Sequence, residues 1–343
     1  MTRRKRQRRT LRVLVLMHPD YMPPTNVDAA TAREAFEFKT EYDVLQGLRA
    51  LGHEVQALGV AHELLPIRQA VEAFEPHLVW NLLEEFHGQT SFDSHVVSYL
   101  ALMHVPYTGA SARGLMLARD KALSKKLLAY HRIPAPGFVV FPRGQRVRPP
   151  RKLPFPLIVK SLTEESSLGI AQASVVDDAE KLTERVRFIH ESIGSDAIAE
   201  QFIEGRELYV GVIGNRRLEV LPVWELTFDN LPRGALAIAT ARVKHNPEYQ
   251  EKRGVRTEEA KLAPELAQRI QRTSRRIYRI LELDGYARID YRLAADGTLY
   301  FLEANPNPDI AEREDFAQAA KAAGVSYPEL LEKVLNLGLG RAR

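Results

Sequence analysis

Arg288, Asp290, Glu303 and Asn305 are the residues whose types and spacing point most directly to chemistry. They lie in the stretch Gly285-Tyr-Ala-Arg288-Ile-Asp290-Tyr-Arg-Leu-Ala-Ala-Asp296-Gly297-Thr-Leu-Tyr-Phe-Leu-Glu303-Ala-Asn305. Apolar and polar residues alternate on both sides of Asp296-Gly297, a dipeptide favoured in two-residue type I′ turns, and this predicts a β-hairpin. With Asp296 and Gly297 as the turn, Ala295 faces Thr298, Leu293 faces Tyr300, Asp290 faces Glu303 and Arg288 faces Asn305. The pleat then puts Arg288, Asp290, Glu303 and Asn305 on one face. Directly opposed carboxylates repel unless something cationic lies between them. Hard oxygen donors from Asp, Glu and Asn suit Mg²⁺, which completes its shell with water and phosphate oxygens. The competing reading is a solvated sheet face on which Arg288 itself pairs the acids.

The elements that must hold these residues follow from periodicity and punctuation. Residues 11–17 read as a buried strand, followed by a polar loop over 18–28 and a helix from about 29 to 51, ended by Gly52. A strand over 54–58, a helical stretch over 67–74 and a strand over 78–81 complete a β-α-β-α-β order, which argues for a parallel sheet with helices packed on it. A second unit begins near Gly109, with a helix over 115–130, an extended Pro-broken stretch over 133–141, a short strand over 155–161 that carries Lys160, a polar loop to Gly169 and a helix over 178–190. A third unit starts near Ser195, with strands over 197–202, 207–213 and 218–223 and a long polar segment over 240–258. In the helix that follows, Leu266, Ile270, Thr273, Ile277 and Ile280 recur at spacings that dock one face, with Pro264 near its start and Gly285 after its end. The expected division is a basic tail over 1–11, an N-terminal α/β domain over 12–108 and two further units over 109–194 and 195–343.

Composition narrows the class. The 343 residues are 45% hydrophobic and 27% charged with no Cys, which excludes a disulfide scaffold and a cysteine-ligated metal site. The apolar runs fall far short of the roughly 18 residues a membrane span needs, and no apolar segment follows the basic N-terminus as a signal peptide requires. The expectation is a cytoplasmic protein without a membrane partner. The first twelve residues carry seven Lys or Arg and no acid, so a net charge of +4 for the chain leaves −3 for the rest. That tail reads either as an arm for anionic surfaces or as a solubilising extension; no aromatic is interleaved for base stacking, so nucleic acid is not expected beyond a nonspecific contribution of the tail. Neither Gly-x4-Gly-Lys-Ser/Thr nor Gly-x-Gly-x-x-Gly after the first strand is present, which argues against P-loop and dinucleotide-binding folds.

Further segments, in this order and spacing, carry a resemblance: Asn81-Leu-Leu with Pro106-Tyr-Thr-Gly109, Arg119-Asp-Lys121, Ile158-Val-Lys160, Ser166-Ser-Leu-Gly169, Glu200-Gln-Phe-Ile-Glu-Gly-Arg-Glu207, Arg288-Ile-Asp290 and Glu303-Ala-Asn305. Over residues 76 to 337 the chain resembles ATP-grasp enzymes, specifically the D-alanine:D-alanine ligase family. The resemblance implies an α/β and α+β protein of three domains, an N-terminal parallel α/β domain followed by two α+β lobes clasping ATP, and it implies a homodimer. It assigns Lys121 and Lys160 to the ATP phosphates, where an occluded triphosphate needs cationic partners. Glu165 to Gly169, with Ser166 and Ser167, would form a flap donating to phosphate oxygens, although the family usually has Gly at position 165. Glu200, Gln201, Phe202 and Ile203 would line the adenine pocket, Glu207 would accept from the ribose hydroxyls, and Lys244 would reach the γ-phosphate. Asp290, Glu303 and Asn305 would hold two Mg²⁺, replaceable by Mn²⁺.

The implied reaction joins a carboxylate to an amine, on small-molecule or peptide substrates, through an acyl phosphate, with Arg288 stabilising the tetrahedral oxyanion. Alternatives are a genuine D-alanine:D-alanine ligase and a non-catalytic ATP-binding regulator. The chain departs from the family where substrates bind. The Gly-Gly-x-Ser-x-Glu-Arg-Glu stretch after the first strand is replaced by His18-Pro-Asp-Tyr-Met-Pro-Pro-Thr-Asn-Val-Asp28, and the serine that helps hold the second substrate's carboxylate becomes Glu314. Asp309, Glu312, Glu314 and Asp315 read either as the start of the last helix, complementing its dipole, or as a surface that selects a neutral or cationic acceptor. His18 and His87 read either as groups at a cleft mouth or as ordinary loop histidines.

Overall fold

The computed structural model describes residues 9–24, 32–164 and 167–342. Tail residues Arg3, Arg4, Lys5, Arg6 and Arg8, the expected helix start at 29–31, and the flap residues Glu165 and Ser166 lie outside the described residues. The chain divides into two compact units, Met1–Ala112 with Asp309–Arg343, and Arg113–Pro308. This division differs from a lobe running from 195 to 343, because residues from Asp309 onward pack with the first unit.

The first unit is built on β1 (Arg12–Met17), β2 (Glu54–Gly59) and β3 (Leu78–Asn81), a parallel sheet of order β2-β1-β3, as the β-α-β-α-β reading requires. β1 is buried from Val13 to Met17 because a central parallel strand is covered on both faces. Its helices are α1 (Ala32–Glu37), α2 (Lys39–Ala50), α3 (Leu65–Phe74) and α4 (Asp93–Leu102). The expected helix over 29–51 is therefore interrupted at Phe38, a residue with non-helical backbone angles and a buried side chain.

The second unit opens with α5 (Ala112–Arg119) and α6 (Lys121–Tyr130), where the sequence predicts one helix. Asp120 breaks it: its backbone is extended and its carboxylate accepts from the Ala122 and Leu123 N–H groups, a strong N-cap that starts a new helix at Lys121. β4 (Phe138–Phe141), β5 (Leu157–Ser161), β6 (Val175–Val176) and β7 (Ala197–Gln201) form an antiparallel sheet of order β4-β7-β5-β6, on which α7 (Ala179–Phe188) packs. β8 (Arg206–Ile213) and β9 (Glu219–Phe228) begin the second antiparallel sheet. The expected polar segment is instead α8 (Ala241–His245), α9 (Pro247–Arg253) and β10 (Val255–Glu259). Its polarity reflects position, since β10 is an edge strand and Thr240 and Asn246 cap the two short helices.

α10 (Pro264–Ile280) docks on β8, β9 and β11 (Tyr286–Leu293), and β12 (Leu299–Pro306), against which α6 packs, completes the order β10-β9-β8-β11-β12. The buried face of α10 is Ile270, Ser274, Ile277 and Tyr278 rather than one running through Thr273. Apolar spacing misses Ser274 and Tyr278 because hydrogen bonds make them compatible with burial: Ser274 Oγ lies 2.7 Å from the Tyr291 hydroxyl, and Tyr278 donates to the Gly214 carbonyl. α11 (Asp315–Ala322) and α12 (Tyr327–Leu339) close the chain; α12 packs on α2 and β3, with Gly338 against Tyr107 and Leu78, where a Cβ would collide.

Candidate active site

The hairpin forms, and the pairs that matter are Arg288 with Asn305 and Asp290 with Glu303, as spacing predicts. Nearer the turn the register differs. Tyr291 pairs with Phe301 and Leu293 with Leu299, so the loop is the three residues Ala295, Asp296 and Gly297, and Leu302 is a bulge. The longer turn and the bulge cancel, which is why the expected alignment at the polar end survives a wrong turn. The bulge is held: Lys125 Nζ donates to the Leu302 carbonyl.

On the polar face Arg288 grips Asp290 with both forks, Nε to Oδ1 at 2.8 Å and Nη2 to Oδ2 at 2.9 Å, and Asn305 Nδ2 donates to Asp290 Oδ2 at 2.9 Å. Arg288 thus neutralises Asp290, as the solvated-face reading expects, but the face is not solvated: Asp290 and Asn305 are buried. Burial pushes the Asp290 carboxyl above the usual range, with Glu303 adding and Arg288 and Lys244 opposing. Burial acts in the same sense on Glu303, but Lys121, Lys160, Lys244 and Lys125 overcome it and hold that carboxyl well below its ordinary value. Lys121 Nζ lies 3.6 Å from Glu303 Oε2. Among the described residues no group of three or more His, Cys, Asp or Glu is disposed to hold a metal ion. The hairpin offers two carboxylates and one amide.

Behind the hairpin lies a buried charge triad. Glu200, 0% exposed, sits between Lys125 at 2.9 Å and Lys160 at 3.0 Å. Its carboxyl would be raised by burial, yet the two lysines hold it below its usual value. Lys160 is lowered by burial but raised overall by Glu200 and Glu303, whereas for Lys125 burial prevails and the ammonium is lowered. Sequence reasoning missed Lys125. Its signal was its place one helical turn after Lys121, on the same face of α6.

Glu207 is also buried, with Arg292 Nη2 at 2.7 Å from Oε2 and the Tyr209 hydroxyl at 2.9 Å from Oε1. Arg292 also donates to the carbonyls of Gly205 and Ala237. Neither Arg292 nor Tyr209 stands out in sequence, since each reads as an ordinary strand residue. Beyond Glu200, the Gln201 N–H donates to Gly137 and the Phe202 N–H to Pro156, which leads the connector through Ile203 into β8. Ser167 and Gly169 have left-handed backbones, with φ of 59° and 73°. The segment after Gly169 is tied to the stretch before α8: Ala241 N–H donates to Ile170, and the Gln172 amide makes two bonds with the Leu236 backbone. Lys244, on α8, contributes to the fields at Asp290 and Glu303.

In the first unit the acidic cluster has a counter-charge that the sequence did not suggest. Lys39 Nζ binds Glu314 and lies 3.5 Å from Asp309, and Thr40 donates to Asp309 at 2.7 Å. Glu314 is the N-cap of α11, which is the penultimate helix rather than the last. Asp309 also accepts from the Ala311 N–H, and the Glu312 N–H donates to Asp43. Glu41, on α2, is 6% exposed; burial pushes its carboxyl up to about 8, with Glu84 and Asp309 adding to the effect and its own backbone N–H and Lys39 opposing it. His18 lies 3.5 Å from Glu85, and His87 pairs with His62 at 3.1 Å.

Comparison with known proteins accords with this arrangement. The D-ala D-ala ligase C-terminus family matches residues 127–336. The D-alanine–D-alanine ligase of Syntrophotalea carbinolica is 31% identical over 89% of this chain and 92% of its own length. The uncharacterized protein y4sG of Sinorhizobium fredii is 32% identical over 76% of this chain and 74% of its own. In fold, the chain is similar to the D-alanine–D-alanine ligase of Bacillus anthracis complexed with ATP, with a TM-score of 0.74 at 21% identity over 97% of this chain and 99% of that one. Among the described residues no helix is long and apolar enough to cross a membrane. With two antiparallel sheets bringing buried lysines, carboxylates and an arginine together in one unit, and with relatives of this extent, the chain belongs to the D-alanine–D-alanine ligase family of ATP-grasp ligases that form C–N bonds.

Proposed function

We propose that this chain joins a carboxylate to an amine in an ATP-dependent reaction through an acyl phosphate, and that the two substrates are not both D-alanine. The observation that carries the reading is the constellation of buried Lys121, Lys160, Asp290 and Asn305 with half-buried Arg288 and Glu303, in which charges taken out of water are compensated by neighbours of opposite sign. Such sites are costly to bury and are favoured where a charged ligand completes them. Lys121, Lys160 and Lys244 contact the phosphates, Ser166 and Ser167 donate to phosphate oxygens, Glu200 to Ile203 line the adenine through the connecting backbone while the Glu200 carboxylate orients Lys160, and Glu207 accepts from the ribose. The two lobes of the clasp are the two antiparallel sheets.

Two carboxylates and an amide oxygen are hard donors that fit Mg²⁺, and a cation between Asp290 and Glu303 would offset the burial that chiefly raises Asp290 and the Glu303 charge that adds to it. Two Mg²⁺, or Mn²⁺ in their place, would there offset triphosphate charge. A substrate carboxylate oxygen bonds to the γ-phosphorus as the bond to the ADP oxygen breaks. The amine then adds to the activated carbonyl, phosphate leaves, and the amine loses its proton. Arg288 donates to the oxyanion formed in that addition.

Three features support a substrate pair other than two D-alanines. The family's first-substrate stretch is absent after β1, Glu314 stands at the place of the serine that receives the acceptor's carboxylate, and Asp309 and Glu314 are held there by Lys39. A carboxylate-bearing acceptor meets acids at that place, which favours a neutral or cationic amine. The names of the relatives favour the second reading, a D-alanine–D-alanine ligase. We place the enzyme in the cytoplasm as a homodimer. The test is an ADP-release screen over pairs of carboxylates and amines with mass detection of the product. A product from a pair other than D-alanine with D-alanine is expected; robust D-alanyl-D-alanine synthesis at millimolar D-alanine would overturn the substrate proposal. Tight ATP binding with no Mg²⁺-dependent ADP release from any pair would favour a regulator.

A further inference from the structure

Tyr209 touches two groups that the reaction uses separately. Its hydroxyl donates to Glu207 Oε1 at 2.9 Å, and the Arg288 guanidinium carbon lies 4.6 Å from the centre of its ring. The side chain is buried, 4% exposed, in the middle of β8, where it pairs with Asp290 on β11 and with Trp224 on β9. Asp290 is therefore its direct cross-strand neighbour and Arg288 the diagonal one, the offset that an aromatic ring can span on a pleated face. Arg288 is thus held on two sides, by the Asp290 carboxylate and by the ring face of Tyr209. A guanidinium over an aromatic face is attracted by the ring quadrupole, and more so when water is excluded. Glu207, in turn, is oriented by the Tyr209 hydroxyl on one oxygen and by Arg292 on the other.

We infer that Tyr209 is a positioning residue that couples the two ends of the nucleotide site: its hydroxyl sets the rotamer in which Glu207 meets the ribose, and its ring sets the plane in which Arg288 meets the oxyanion. This inference rests on the roles given to Glu207 and Arg288 above. It makes the two halves of one side chain separable. Tyr209→Phe removes the hydroxyl and keeps the ring, whereas Tyr209→Leu removes both. A carboxylate that loses an oriented donor turns more freely and holds the ribose less well, while an arginine that loses its ring platform meets the transition state less often in the productive plane.

The test uses the full chain. Binding of Mg²⁺-ATP and of Mg²⁺-2′,3′-dideoxy-ATP is measured by calorimetry for the wild type, Tyr209→Phe and Glu207→Gln, and ADP release with the best pair from the screen is measured for the wild type, Tyr209→Phe, Tyr209→Leu and Arg288→Lys. Tyr209→Phe is expected to weaken ATP binding about fivefold and to leave dideoxy-ATP binding as in the wild type, the size of effect one ordinary hydrogen bond supports when Arg292 still holds the other carboxylate oxygen. Tyr209→Leu is expected to lower kcat about tenfold further than Tyr209→Phe, in line with a desolvated cation–π contact. The inference is overturned if Tyr209→Phe weakens both nucleotides equally or neither, or if the Leu and Phe variants share one kcat. If Tyr209→Leu does not fold, the nucleotide comparison on Tyr209→Phe still decides. Failure of the underlying reading shows elsewhere: Glu207→Gln then leaves the preference for ATP over dideoxy-ATP intact, or Arg288→Lys leaves kcat intact.

Discussion

Two regions of this molecule bury charge in opposite ways. In the second unit, Glu200 lies between two lysines and Glu303 within the field of four, so these two carboxylates are outnumbered by cations and driven down, and only Asp290 beside them is raised by its burial. In the first unit, at the carboxyl end of the parallel sheet, Lys39 serves Asp309 and Glu314 together, while Glu41 is buried beside Glu84 and Asp309 and its carboxyl is driven up. The first arrangement has an excess of positive charge suited to a polyphosphate. The second has an excess of acid that a cationic group would relieve. One chain thus carries both signs of unfinished electrostatics, in separate units.

The largest break in this comparison is at the hairpin. Glu303→Gln or Asp290→Asn is expected to abolish Mg²⁺-dependent ADP release while far-ultraviolet circular dichroism stays unchanged; retained turnover would remove the metal role. Arg288→Ala is expected to lower kcat by about 100-fold, the usual cost of a lost oxyanion donor. Next comes Lys125→Met. Removing one partner of a buried pair leaves Glu200 under-compensated and the Leu302 carbonyl without its donor, so a loss of about 3–5 kcal/mol in denaturant unfolding is expected. A loss below about 1 kcal/mol would mean that the triad is not a structural pillar.

The acidic region is probed by pH. Because the Glu41 carboxyl holds its proton up to about 8 in the folded chain, against the ordinary 4.5, the folded state binds a proton that the unfolded state has released between those values. Stability attributable to Glu41 is therefore present at low pH and is lost as pH rises from about 4.5 to about 8. Glu41→Gln, neutral throughout, should flatten Tm against pH over this range and raise Tm at pH 8 by several degrees. An unchanged slope would show that the carboxylate is already satisfied. The smallest effect is at Lys39. Its ion pairs are partly exposed, and Lys39→Met is expected to cost about 1 kcal/mol or less in urea unfolding, in clear contrast to Lys125→Met.

The same contrast explains what could be read in advance. The hairpin pairs Asp290–Glu303 and Arg288–Asn305 were legible because two-residue alternation carries register over a short distance, and the error at the turn was cancelled by the bulge at Leu302. The parallel sheet was legible from three apolar runs and their spacing. Lys125 was not, because its one local signal, a place one helical turn after Lys121, does not show that it is buried while Lys126 beside it is exposed. The two-helix break at Asp120 was visible as a capping residue but lost inside a long helical pattern. The polar segment over 240–258 looked irregular because short capped helices and an edge strand have no strong hydrophobic period.

The sequence by itself determined the family, the parallel sheet of the first unit, the polar-end pairs of the hairpin and the donor types on it, since these depend on residue identity and near-neighbour spacing. Tertiary structure alone decided which charges share a desolvated space: that Lys125 meets Glu200 and Leu302, that Tyr209 joins Glu207 to Arg288, and that Lys39 partners acids some 270 residues away. The physical reason is that Coulomb energy and desolvation depend on distance and burial in space, and separation along the chain constrains neither.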